Sequence, residues 1–98
     1  MTAYMVILAE ISDPDSFKEY AMRAAELVDE FGGEYIVRSG TSQCLEGDWP
    51  DETRLVISKW PSMDQARAFW YSPRYDEIKK LRQSNSNVRV RLIEGIEG

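Results

Sequence analysis

Seven consecutive apolar residues near the start of the chain, Ala3-Tyr4-Met5-Val6-Ile7-Leu8-Ala9, restrict its fold more than any other feature. The run is too short for a buried helix and rich in side chains that pack well on a pleated surface, so it reads as a strand. Alternate residues of a strand point to opposite faces, which puts Met5 and Ile7 on one side and Val6 and Leu8 on the other. Both faces are apolar, and both need cover. The segment from Arg54 to Trp60 repeats the property, with Leu55 and Ile57 opposed to Val56 and Trp60.

Punctuation in the rest of the chain fixes the order of elements. Asp13-Pro14 opens a helix, because the Asp13 carboxylate can accept from the first helical N–H groups and Pro14 occupies a position that needs no donor. Phe17, Tyr20, Ala21, Ala24, Leu27, Val28 and Phe31 then recur at three- and four-residue steps, and Gly32-Gly33 ends the helix. Tyr35 to Val37 is a short strand. The stretch from Gly40 to Thr53 is expected to continue it and then loop at Gly47-Asp48-Trp49-Pro50. Ser62-Met63-Asp64-Gln65 has capping-box spacing at the head of a second helix, in which Ser62 and Gln65 each satisfy a backbone N–H. Ser72-Pro73 breaks that helix near Tyr71 and starts a third segment with Tyr75, Ile78 and Leu81 on one face. Asn85, Ser86 and Asn87 read as a turn before a last strand in which Val88, Val90 and Leu92 alternate with Arg89, Arg91 and Ile93.

The order βαββαβ is the ferredoxin-like plan: an α+β fold with an antiparallel sheet and helices on one face. Residues 1–98 make one domain, without repeats or linkers. Two helical layers cannot be built from so few helices, so the second apolar sheet face requires another cover. A second copy of the chain is the simplest, since two-fold dimers are the commonest soluble assemblies. A homodimer is expected.

Charge and residue usage exclude several functions. A net charge of −5 disfavours nucleic acid and anionic membranes as partners, both of which need a dense basic patch. The basic residues gather late, at Arg74, Lys79, Lys80, Arg82, Arg89 and Arg91, where either a local anion site or a solvated helix face and strand edge accounts for them. Cys44 is the only cysteine, which rules out an internal disulfide and fits a reducing, cytoplasmic location. The first residues run into the apolar strand without a basic leader region. The chain has no histidine, so the usual neutral base, the commonest metal ligand and the usual proximal haem ligand are missing. No metal and no cofactor are expected.

Four segments together carry a resemblance: Asp13-Pro14, Arg38-Ser39-Gly40, Leu45-Glu46-Gly47-Asp48-Trp49-Pro50 and Trp70-Tyr71-Ser72-Pro73-Arg74-Tyr75. Over nearly the whole chain they resemble the small bacterial family named domain of unknown function 1330. The resemblance implies the dimeric α/β barrel superfamily, in which two ferredoxin-like protomers pack sheet to sheet and enclose a small-molecule pocket. Members of that superfamily include cofactor-free monooxygenases, muconolactone isomerases, haem-dependent peroxidases and ligand-sensing domains, so the fold does not fix an activity.

The residues themselves suit a planar or carboxylated small ligand, bound by a cation and flat apolar surfaces. Arg38 ends a strand and can hold a carboxylate bidentately, or pair with Glu34 or Glu46. Trp49 sits in a polar loop, where it either packs on the core or lids a pocket. Phe69, Trp70 and Tyr71 are consecutive in a helix and fan too widely to share one core stripe. Tyr75 follows the helix break, and Tyr20, Tyr71 or Tyr75 can donate a hydroxyl, or serve as core edge. For cofactor-free catalysis a carboxylate in a dry pocket is the natural base, and Glu46 and Asp48 are the candidates. The alternative is a binding or accessory module that turns nothing over.

Overall fold

The computed structural model describes residues 1–38, 40–51 and 53–96. In chain order it contains β1 (Ala3–Ile11), α1 (Pro14–Glu30), β2 (Glu34–Arg38), β3 (Thr53–Trp60), α2 (Met63–Trp70), α3 (Pro73–Lys79), a 3₁₀ turn (Lys80–Arg82) and β4 (Ser86–Glu94). The strands lie in the order β2-β3-β1-β4 and each neighbouring pair is antiparallel. This is the expected ferredoxin-like α+β fold. The two most apolar strands, β1 and β3, take the centre, where both faces are shielded most. At 17 Å along its shortest axis the domain is one sheet and one helical layer thick.

Pairing of Met5 with Ser58 and Leu92, and of Ile7 with Val56 and Val90, aligns one pleat of the three long strands toward the helices. Ala3, Met5 and Trp60 from that face meet Leu27 and Val28 of α1, Ala66 and Phe69 of α2 and Tyr75 of α3 in a buried core. The Trp60 indole N–H donates to the buried Ser58 hydroxyl at 2.9 Å, so the core takes in a large ring without stranding its polar atom.

The three helix starts follow the sequence reading. Asp13, Ser62 and Ser72 accept from the backbone N–H groups of Ser16, Gln65 and Tyr75 at 3.3, 3.1 and 3.1 Å. One half of the capping box is different. The Gln65 amide donates to the Phe31 carbonyl at 2.7 Å, and so fastens the start of α2 to the end of α1 instead of closing on its own helix. Gly32 takes a positive φ of 87° after α1, as a helix terminator should. Gly33 serves another purpose: a β-carbon there would lie 2.7 Å from the Trp60 ring.

Two boundaries depart from expectation. β2 ends at Arg38 and the described residues 40–51 form no strand, since Gly40 turns at φ 126° and the polar residues after it have no apolar face to bury. At the other end, Ser86 and Asn87 belong to β4 and pair with Ile11 and Glu10. The Asn85 carbonyl receives the Ser12 N–H at 2.9 Å and the Ser12 hydroxyl at 3.0 Å, which extends the ladder beyond the apolar residues.

Opposite the helices no helix or strand of the described residues covers the sheet. Tyr4, Val6 and Leu8 of β1 lie beside Leu55 and Ile57 of β3, with Arg89, Arg91 and Ile93 on β4 and Val37 on β2. Val37 and Ile93 are 39% and 44% exposed. An apolar stripe of this kind, with arginines along one side, is the uncovered face that the sequence implied.

Candidate functional site

Between α1 and α3 the structure brings together tyrosines, a tryptophan and two cations. Ser72 sets the geometry. Its hydroxyl donates to the Phe69 carbonyl at 2.9 Å and accepts the Tyr75 N–H, so the break between α2 and α3 is a fixed bend. The bend swings Trp70 and Tyr75 against each other, with ring centroids 5.1 Å apart, and Phe69 closes on Tyr75 at 4.6 Å. Tyr75 is 2% exposed, yet its hydroxyl is satisfied by that of Tyr20 at 2.8 Å.

Cations flank these rings. The Arg82 guanidinium lies 5.4 Å from the centre of the Tyr20 ring, and the Lys79 ammonium lies 4.9 Å from Trp70 and 5.8 Å from Tyr75. Neither is paired with a carboxylate among the described residues. The Arg82 Nε is buried and has no hydrogen-bond partner. Burial pushes the Tyr20 hydroxyl far above the usual phenol range, and the neighbouring Tyr75 adds to the shift. Burial works against the charge of Arg82, but the hydroxyls of Tyr75 and Tyr20 outweigh it and leave the guanidinium more basic than usual. The cluster is therefore built of hydrogen-bond donors.

Of the residues singled out in the sequence, Trp70 and Tyr75 belong to this cluster. Tyr71, one position on from Trp70, is 74% exposed and caps α2 with its backbone. Arg38, on the edge strand, lies over the Tyr35 ring at 5.0 Å. Glu46, Asp48 and Trp49 stand on the exposed 40–51 segment, where Trp49 is 48% and Leu45 87% exposed. A carboxylate base needs dry surroundings, and a single protomer does not provide them at Glu46 or Asp48. Lys79 and Arg82, two members of the basic run for which a local anion site was one of the alternatives, join the cluster, and their spacing carries a signal for it. Lys79 and Arg82 follow Tyr75 by one and two helical turns and so share its face.

The surface also carries two open clefts away from the cluster. One, of about 400 Å³, is lined by Met1, Ser62, Met63, Asp64, Arg67 and Glu94. The other, of about 460 Å³, lies where β1, β3 and β4 end, among Glu10, Ser12, Pro50, Thr53, Ser84 and Ser86. Both are open to solvent. Among the described residues no group of Cys, Asp and Glu could hold a metal ion, and no helix is long and apolar enough to cross a membrane.

A four-stranded antiparallel sheet with its helices on one face defines a ferredoxin-like α+β protein. The chain belongs to the family described as domain of unknown function (DUF1330), whose model matches residues 2–96. A protein of unknown function from Rhodopseudomonas palustris has the same fold, with a TM-score of 0.76 at 17% identity over 99% of this chain and 84% of its own. SnoaB, a cofactor-independent oxygenase from Streptomyces nogalater, superposes with a TM-score of 0.73 at 14% identity over 99% of this chain and 95% of its own. The de novo designed protein Foldit4 reaches 0.65 at 16% identity over 98% of this chain and all of its own. A fold shared by an oxygenase and a designed chain defines an architecture and leaves the activity open. No curated protein resembles the chain closely enough in sequence to count as a match.

Proposed function

We propose that this protein is a cytoplasmic homodimer, packed sheet to sheet, that binds a small planar or carboxylated metabolite beside Trp70 and Tyr75 and acts on it as a cofactor-independent oxygenase or isomerase. The observation that carries the reading is the Tyr20–Tyr75 hydroxyl pair beside an arginine that has no carboxylate partner. Donors arranged around flat apolar walls are what a developing or resident oxyanion needs. In the dimer the exposed segment with Leu45 and Trp49 gains a surface to pack on. Burial there would shield Glu46 or Asp48 from water, as a carboxylate base requires, with Arg38 close to the same edge of the sheet.

A non-catalytic binding module is the second reading, and one observation favours it: the cluster contains donors and no carboxylate. A thermal-shift screen of planar acids followed by oxygen-uptake and product assays on each hit separates the two. Stabilisation with turnover supports the enzyme and stabilisation without turnover the binder. No stabilisation by any planar acid would sink both.

A further inference from the structure

Arg82 stands apart from the other cations of the chain. Glu19, Asp64 and Glu30 pair with Arg23, Arg67 and Arg74 on the surface. Arg89 and Arg91 point to the bare face of the sheet, and Arg38 lies on an exposed strand end. Arg82 alone combines partial burial, aromatic surroundings and a buried N–H group without an acceptor. A buried donor left unsatisfied is destabilising, and a cation without a counter-ion adds to that cost.

The hydroxyl pair completes a donor set. Two tyrosine hydroxyls carry two protons, and their mutual bond at 2.8 Å uses one. The second is not used by that bond, and the Arg82 guanidinium lies beside the pair. We infer that Arg82, together with the Tyr20–Tyr75 pair, is the anion-holding group of this site, and that the ligand class is the planar organic anion, an aromatic carboxylate or phenolate. This rests on the reading that a small ligand binds at the cluster. The oxyanion takes the Nε–H and the remaining tyrosine proton, while the ring lies against Trp70. The base of Arg82 is fixed, since its carbonyl accepts from the Ser86 hydroxyl at 2.8 Å and from the Asn85 N–H at 3.3 Å, and its guanidinium lies beside the Tyr20 and Tyr75 hydroxyls. The outer side chain rests on the Tyr20 ring and is partly exposed, so rotation about its terminal bonds turns Nε toward an incoming anion.

Benzoate and benzamide test this, since they share shape and differ in charge. With full-length protein carrying ¹⁵N-labelled arginine, benzoate is expected to bind at least about tenfold more tightly than benzamide and to move the Arg82 Nε–H resonance. In Arg82→Gln the preference for benzoate over benzamide should vanish. Equal affinity of the two compounds, an unmoved Arg82 Nε–H signal, or a preference that survives in Arg82→Gln would overturn the inference and leave the ligand site itself standing. If neither compound perturbs any resonance, the ligand site falls with it. Should Arg82→Gln fail to fold, Arg82→Lys keeps the charge without Nε, and the wild-type resonance decides by itself.

Discussion

The hydroxyls of Tyr20 and Tyr75 meet at 2.8 Å across the gap between α1 and α3, although 55 positions separate the residues in sequence. Each is the other's partner in a packed interior, so removing one strands the second. Tyr20→Phe or Tyr75→Phe alone should cost about 1–2 kcal/mol, the net value of the bond plus the stranded group. The double variant should cost less than the sum, because no polar atom is then left alone. Urea unfolding of the four proteins checks this. Strict additivity would mean that the two hydroxyls do not depend on each other.

Alkaline pH should expose the same pair through linkage. Burial raises Tyr20 and Tyr35 above the ordinary tyrosine value of 10.0, so the folded protein keeps protons that the unfolded chain releases. For a raised value the stabilising contribution is complete below the unfolded pKa and drains away as pH rises past it. Melting temperature should therefore fall from about pH 10 upward, and Tyr20→Phe should fall less steeply than the wild type over that window. A wild-type curve no steeper than that of Tyr20→Phe would contradict the burial of the hydroxyl.

Gly33 and Trp60 show a constraint of another kind. No unusual dihedral is needed at Gly33; the indole simply fills the space a side chain would take, with three ring atoms within 2.8 Å of an added β-carbon. Gly33→Ala should cost about 1–3 kcal/mol by overpacking, or very roughly 4–24 °C in melting temperature for a domain of this size. In a Trp60→Phe background, where the six-membered ring no longer reaches as far, the added cost of Gly33→Ala should shrink. An unchanged cost, measured by the same denaturation, would place the strain in the backbone instead.

These pairs show what a sequence reveals and what it withholds. Asp13-Pro14, Ser62 and Ser72-Pro73 act on N–H groups two or three residues away, so their roles could be read from spacing alone. The central strands were legible for a similar reason: a run such as Tyr4 to Ala9 has no other way to bury itself. Spacing alone points Gln65 at its own helix, whereas its partner, the Phe31 carbonyl, lies 34 positions away. The basic run left a local anion site and a solvated face both open, and the sequence cannot single out Arg82 within it, since its isolation depends on which carboxylates the fold leaves out of reach. The 40–51 segment obeyed no period, and its acidic residues and Trp49 gave no sign of whether a partner covers them.

The bare sheet face makes the assembly testable in a way that separates folding from association. Ile7 pairs with Val56 and Val90 on the helix side, whereas Ile57 pairs with Val6 on the open side. Introducing a charge at Ile7 buries it in the core, where an unpaired carboxylate costs several kcal/mol and exceeds what a small domain can lose. Ile7→Asp should fail to fold. At Ile57 the protomer tolerates the same charge, since water reaches that face, but a sheet-to-sheet dimer must desolvate it twice, once in each copy. A penalty of about 3 kcal/mol or more weakens association by at least about 100-fold. Light scattering at low micromolar concentration should then give a dimer for the wild type and, for Ile57→Asp, a folded species with the 11.3 kDa mass of one chain and native circular dichroism. A wild type that stays at one-chain mass across concentrations, or an Ile57→Asp protein that still dimerises, would mean that this face is not where two copies meet.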